Sequence, residues 1–340
     1  MSRFKCDGSY KDDMNEYTEA VFDKYGASSR SAEREVMILA DEGNTVALKL
    51  YADMIFYKKI LRKNAYRDAF ALYMESAGLS ASEDGTLNIS ERAYPLSYWP
   101  IAFCLVNYRR GSFLIKSETI DLIDKMTLAE RLSMALELAV ASLQYAVIPG
   151  ALNLIGLILY EVSGNEDLYK EIKDVIEENI PIKSSLADMA EEYFKEAAQK
   201  GYVYAANNLA AREADRISKL TDDTAEEDLK EAVNRYIGYL KISADRYEPY
   251  AANRLGLFYM TGEIKGKGGT TYHKAYTDTA LAKEYFNKAT VCPDVNSAWA
   301  FFNLIKYFHK DYDNDIEHMN EHMDYIKELN PEVYGLAMEL

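Results

Sequence analysis

Residues 250–259 read YAANRLGLFY, and residues 204–213, 46 positions earlier, read YAANNLAARE. If that echo is structural, the same step must carry neighbouring residues with it, and it does. Tyr193, Tyr239 and Tyr285 are spaced by 46 twice. Across two steps, AEEYFKEAA from Ala190 matches AKEYFNKAT from Ala282, and ALYMESA at 71–77 is a weaker copy. ADEGNTVALKLYA from Ala40 repeats the small-residue spacing of AQKGYVYAANNLA from Ala198, so the period reaches towards the N-terminus. A fixed period of this length marks a stack of supersecondary units, each burying its apolar face against the next.

Within a unit, apolar and small residues recur three and four apart, while glycine and proline gather at the joints, which predicts two amphipathic helices and gives strands no obvious place. The predicted pairs are Asn44 to Lys59 with Ala65 to Gly78, Leu96 to Arg110 with Ser117 to Tyr145, and Ala151 to Ser163 with Ser184 to Lys200. They continue as Val203 to Lys219 with Ala225 to Arg246, Pro249 to Thr261 with Thr277 to Val291, and Val295 to Lys310 with Asp313 to Leu329. Inserts near 80–93 and 164–183 interrupt the period. Residues 1–42 read as N-terminal capping helices, 43–329 as the repeat array and 330–340 as a tail or cap. Gly156, Ala210 and Gly256 sit where the first helix of a unit must approach the second closely, with Leu255 and Tyr259 filling the groove beside them.

AANRLGLFYMTG followed by ALAKEYFNKA resembles the Sel-one-like repeat, a relative of the tetratricopeptide repeat. The resemblance runs from about Gly43 and is strongest between Ala187 and Thr290; Phe302 stands where the sixth unit should have a small residue. It implies an all-α, right-handed alpha-solenoid of about six helix pairs that acts as an adaptor or scaffold. In such solenoids the residue three before the small one lines the concave face, which here gives Lys49, Trp99, Asn153, Asn207, Asn253 and Trp299. Asparagine donates to and accepts from a peptide backbone, tryptophan supplies apolar anchors, and Lys49 would attract acidic groups. The competing reading gives asparagine a capping or solvated role and tryptophan a place in the core.

Composition narrows the function classes. Fifty-five acidic against 39 basic side chains leave a charge of −16, which repels nucleic acid phosphates and anionic lipid. The N-terminus lacks the apolar core of a secretory signal and no apolar run is long enough for a membrane span, so the expected location is the cytoplasm. Cys6, Cys104 and Cys292 are few and far apart, as reduced thiols are. The expected partner is a protein or peptide, with neither nucleic acid nor membrane, and no cofactor is called for; oligomeric state stays open.

Two stretches hint at chemistry. HMNEH at 318–322 matches the H-x-x-E-H signature in which two histidines hold zinc and the glutamate serves as base. Only 18 residues follow His322, with Glu328, Glu332 and Glu339 as close candidates for a third ligand, so His318 and His322 are expected to be ordinary surface histidines, without a metal site. GEIKGKGGTTYHK at 262–274 has the composition of a phosphate cradle but the wrong spacing for one, which predicts a mobile loop within a unit. No Ser-His-Asp or Cys-His set stands out, and no catalytic residue is assigned. The acidic run TDDTAEED at 221–228 reads as a helix start. The reading is a non-enzymatic scaffold binding a peptide or protein segment in its concave groove. A peptide-responsive regulator is the first alternative, and a zinc metallopeptidase using His318, Glu321 and His322 the second.

Overall fold

The computed structural model describes residues 4–25, 30–57, 65–81, 87–107, 123–220, 224–312 and 315–340. The fold is all-α, and it divides into two compact units, Met1–Tyr193 and Phe194–Leu340.

In the first unit, helices α1 (Tyr10–Tyr25) and α2 (Arg30–Asp41) precede the first predicted pair, α3 (Thr45–Phe56) and α4 (Ala65–Ser76), which pack together. Asp13 of α1 is buried and accepts from the Thr45 backbone and hydroxyl at 3.0 and 2.6 Å, so α1 completes the cap that Asn44 begins on α3. The second pair is α5 (Tyr98–Val106) and α6 (Leu128–Leu143). The single helix predicted from Ser117 is interrupted in its described part: residues 123–125 are helical, 126 and 127 are not, and α6 begins afresh at Leu128, where Thr127 forms a capping box with Glu130. After α7 (Pro149–Ser163), the segment taken as an insert at 164–183 is instead a helix, α8 (Glu166–Asn179). Asn165 caps it, and Leu168, Ile172 and Ile176 form a buried stripe as it packs on α6 and α7. Helix α9 (Leu186–Gln199) carries the division between the units. The stretches 58–59, 82–86, 108–110, 117–122, 221–223 and 313–314, which the predicted helices, the first insert and the acidic run include, lie outside the described residues.

The second unit contains the pairs α10 (Val203–Ile217) with α11 (Glu226–Ala244), α12 (Pro249–Thr261) with α13 (Thr279–Ala289), and α14 (Ser297–Phe308) with α15 (Ile316–Leu329), then α16 (Pro331–Ala337). The pairs are held by different contacts. A Cβ added at Gly256 would lie 2.5 Å from the Phe286 ring, so α12 can meet α13 only with glycine there. Buried Glu213 of α10 accepts from Arg235 of α11 at 2.9 Å and from Arg216 at 3.0 Å. Ala210, Tyr236, Leu255, Phe258 and Phe286 belong to one continuous core, and Phe301, Ile305, Ile326 and Val333 to the next.

Two devices recur at equivalent places. Ser76 donates to the Thr45 carbonyl at 2.6 Å and Ser243 to the Val203 carbonyl at 2.7 Å, hooking the end of a second helix to the start of its own first helix. The turn that enters a first helix is left-handed one residue before the N-cap: Gly43 at φ 85°, Gly201 at φ 94°, and Tyr247 at φ 58°.

Strands do occur, against expectation, as two short antiparallel hairpins: β1 (Leu79–Ala81) with β2 (Leu87–Ile89), and β3 (Glu263–Gly266) with β4 (Gly269–Tyr272). Within the glycine run, residues 263–272 therefore form a hairpin rather than an irregular loop. Its glycines allow contact with the end of α10: a Cβ at Gly266 would collide with the Ala214 carbonyl. The Lys267 amide donates to Asp215 at 2.6 Å and the Gly268 amide to Ser218 at 3.1 Å, so the amides a phosphate would need are occupied.

Candidate functional site

The six residues singled out by repeat register fall on the first helices α3, α5, α7, α10, α12 and α14. Their side chains have distinct fates.

In the first unit, the Lys49 ammonium pairs with Asp53 one turn on, at 2.5 Å, and Asp53 also accepts from the Tyr73 hydroxyl at 2.7 Å. Burial and the Asp53 carboxylate together push the Tyr73 phenol up, which keeps it a neutral donor. The charge of Lys49 is thus answered within its own unit. Trp99 stacks on Phe103, with ring centroids 5.9 Å apart and planes 24° from parallel, and its indole lies on Gly150, where any Cβ would strike the ring. The Trp99 Nε1–H is buried without a partner. Asn153 is buried in α7.

In the second unit the row takes part in a polar frame. Asn207 Nδ2 donates to Glu248 Oε2 at 2.9 Å, and Glu248 is the N-cap of α12, accepting from the amides of Tyr250 and Ala251 at 3.1 and 2.8 Å. Asn253 Oδ1 accepts from Asn303 Nδ2 at 2.9 Å, linking α12 to α14. Successive first helices are therefore joined through asparagine, which is one half of what its donor and acceptor groups allow. Trp299 remains exposed and meets Phe302 edge-on at 5.9 Å.

Sequence register missed Glu248, Asn303, Tyr204 and Tyr250. Glu248 stands directly before Pro249, the combination of cap and proline that opens a helix, and Tyr204 and Tyr250 are the first letters of the two echoing decapeptides. Tyr204 is the second residue of α10, packs edge-on against Tyr202 at 5.5 Å, and is more than half exposed. Partial burial, then the carboxylates of Glu248 and Asp294, raise its phenol.

The HMNEH motif lies on α15 in a different setting from the expected one. His318 is exposed and 3.7 Å from Glu321, but His322 is only 8% exposed, its ring 4.7 Å from that of Phe301 and 4.3 Å from that of His318. Burial, reinforced by His318, lowers the His322 pKa to about 4, so the expectation of two surface histidines is corrected: this imidazole is a helix-packing group. Among the described residues no three His, Cys, Asp or Glu side chains are grouped to hold a metal ion. Nor is any helix among them long and apolar enough to cross a membrane. The three cysteines are free.

No family model matches the chain, and no curated protein does. Among solved structures, a protective antigen present in uropathogenic Escherichia coli strains and displaying an SLR fold is similar at 13% identity, over 98% of this chain and 95% of that one, with a TM-score of 0.22. A likeness of that size carries no argument, and the all-α reading rests on the helices and cores described above.

Proposed function

We propose that the protein is a non-enzymatic helical-repeat scaffold of the Sel-one-like kind that binds a peptide or protein segment across the first helices of its repeats. The observation that supports this reading is the set of aromatic side chains left in solvent near the starts of α10, α12 and α14: Tyr204 is 56% exposed, Tyr250 41% and Trp299 41%. Large rings held outside a core are the usual anchors of a protein interface, because they bury much area at the cost of few rotors. Here they stand on helices already joined by hydrogen bonds, Asn207 Nδ2 to Glu248 and Asn303 Nδ2 to Asn253 Oδ1, with Asn207 Oδ1 the one acceptor of these asparagines that is buried without a partner, so a ligand meets a largely preformed surface. In this reading Trp299 and the tyrosines contact the ligand, while Asn207 and Asn253 hold their helices in register; Lys49 and Trp99 hold the same repeat position in the first unit, where Asn153 is buried.

Quantitative affinity capture tests it. Immobilised protein and a Tyr204→Ala, Tyr250→Ala, Trp299→Ala triple variant with unchanged helicity are exposed to the same lysate of native cells. Proteins retained by the first and depleted about tenfold on the second, a loss of roughly 1.4 kcal/mol, are the expected result. Equal retention on both would remove these rings from the binding face.

A further inference from the structure

Strand β4 is the outer strand of its hairpin. Its partner β3 sends Ile264 into the core and lies against α10, while Gly269, Thr270 and Tyr272 are exposed. The phase of the ladder decides which backbone groups face outwards. The His273 amide donates to the Gly262 carbonyl at 2.8 Å, and the register sets Glu263 opposite Tyr272, Ile264 opposite Thr271, Lys265 opposite Thr270 and Gly266 opposite Gly269. Bonded and non-bonded pairs alternate in an antiparallel ladder, so Thr271 and Gly269 bond to β3 while Thr270 and Tyr272 turn their N–H and C=O groups away from it. Among the described residues no backbone bond engages that side of β4. The other hairpin differs: the carbonyl of Glu91, just past β2, already accepts from the Asp7 amide at 2.9 Å.

An open row of this kind is a template for another strand. Charge selects which strand. Residues 262–274 carry Lys265, Lys267 and Lys274 against Glu263, three positive minus one negative, or +2, in a chain of −16. Exposed Lys265 is cross-strand from Thr270, and exposed Lys274 follows Tyr272 by two residues. We propose that the edge of β4 takes up an extended segment of a partner protein as a third strand, with an acidic side chain opposite Thr270, beside Lys265, and an apolar one opposite Tyr272. Glu263 lies across from Tyr272, which disfavours a second acid there. This is a binding mode separate from the helical face above and does not depend on it.

The probe is a capped heptapeptide with glutamate at its centre, valine two residues to either side and threonine elsewhere, which offers the pattern in both strand directions. Backbone amide shifts and hydrogen exchange are read on the full chain. The expected result is a shift of the Thr270 and Tyr272 amides and about tenfold slower exchange at both. A peptide N-methylated on the backbone of its central residues should leave them unmoved, and one with lysine for glutamate should bind at least about tenfold more weakly. In the protein, Thr270→Pro removes only an outward-facing donor, which an edge strand tolerates, and should abolish the effect; Lys265→Glu should weaken it. No change at Thr270 and Tyr272, binding that survives N-methylation or Thr270→Pro, equal binding of the lysine peptide, or shifts confined to residues of the helical face would each overturn the proposal. So would protection of the same amides without peptide that grows with protein concentration, since a second copy would then occupy the edge.

Discussion

Asn207 and Glu248 are 41 residues apart and share one hydrogen bond of 2.9 Å, through which the first helix of one repeat holds the cap of the next. Glu248 spends its other contacts on the amides of Tyr250 and Ala251, so its carboxylate is a three-way joint. Glu248→Ala should cost about 1–2 kcal/mol in urea unfolding, from the lost cap and the stranded asparagine amide, and Asn207→Ala about 1 kcal/mol. A double-mutant cycle should show the two to be coupled. If Asn207→Ala left stability untouched and only weakened partner capture, the asparagine would be a ligand contact instead of a brace.

Gly256 against Phe286 is the corresponding apolar joint. Gly256→Ala gains about 1 kcal/mol of helix propensity, but the added methyl enters a ring 2.5 Å away, and overpacking of that kind costs about 1–3 kcal/mol. The net expectation is a lower melting temperature. Phe286→Leu in the same chain should recover part of it by vacating the space, whereas simple additivity of the two losses would mean that the helices part rather than repack.

The helix pairs were legible because a 46-residue step carries side chains of one size to the same joint, as Tyr193, Tyr239 and Tyr285 do. What stayed hidden has local causes. Helix α8 was lost because it breaks the period, although Asn165 and the spacing of Leu168, Ile172 and Ile176 announce it. The β3–β4 hairpin was hidden by its glycines, of which Gly266 and Gly268 serve close approach to Ala214 and Ser218 while Gly262 and Gly269 take positive φ. The asparagine row was found by counting, but which group each amide meets depends on the approach of the next repeat, a distance that no single repeat encodes.

Tyr247 occupies the left-handed position that glycine holds at 43 and 201. For a tyrosine this conformation costs about 1–2 kcal/mol, and the exposed ring recovers little of it, with the Lys288 ammonium 5.7 Å from its centre. Tyr247→Gly should therefore change stability by between nothing and a gain of about 1 kcal/mol, once the greater freedom of unfolded glycine is subtracted. Gly201→Ala, at φ 94° and with the Arg246 guanidinium 2.9 Å from the new methyl, should lose about 1–2 kcal/mol. Chemical denaturation of the two variants side by side checks the sign of each; a loss at Tyr247→Gly would show that the ring stabilises the turn.

His322 makes the packing of α14 with α15 dependent on pH. Its ring is held neutral down to about pH 4 by burial against Phe301 and by the neighbouring His318, whereas in the unfolded chain an ordinary histidine takes its proton near 6.5. Between those values the unfolded state binds the extra proton, so the contribution is complete above about pH 6.5, falls as the pH drops towards 4, and is fully lost below it. His322→Leu should remove that part of the acid sensitivity while keeping the contact with Phe301. Unfolding midpoints measured from pH 7.5 to 4 for both proteins decide: the curves should converge at the upper end and separate in favour of leucine at the lower. The same pair of proteins tests the zinc reading of HMNEH, because zinc bound through His318 and His322 would raise the wild-type midpoint at neutral pH and a chelator would reverse it, while the packing role predicts no response to either.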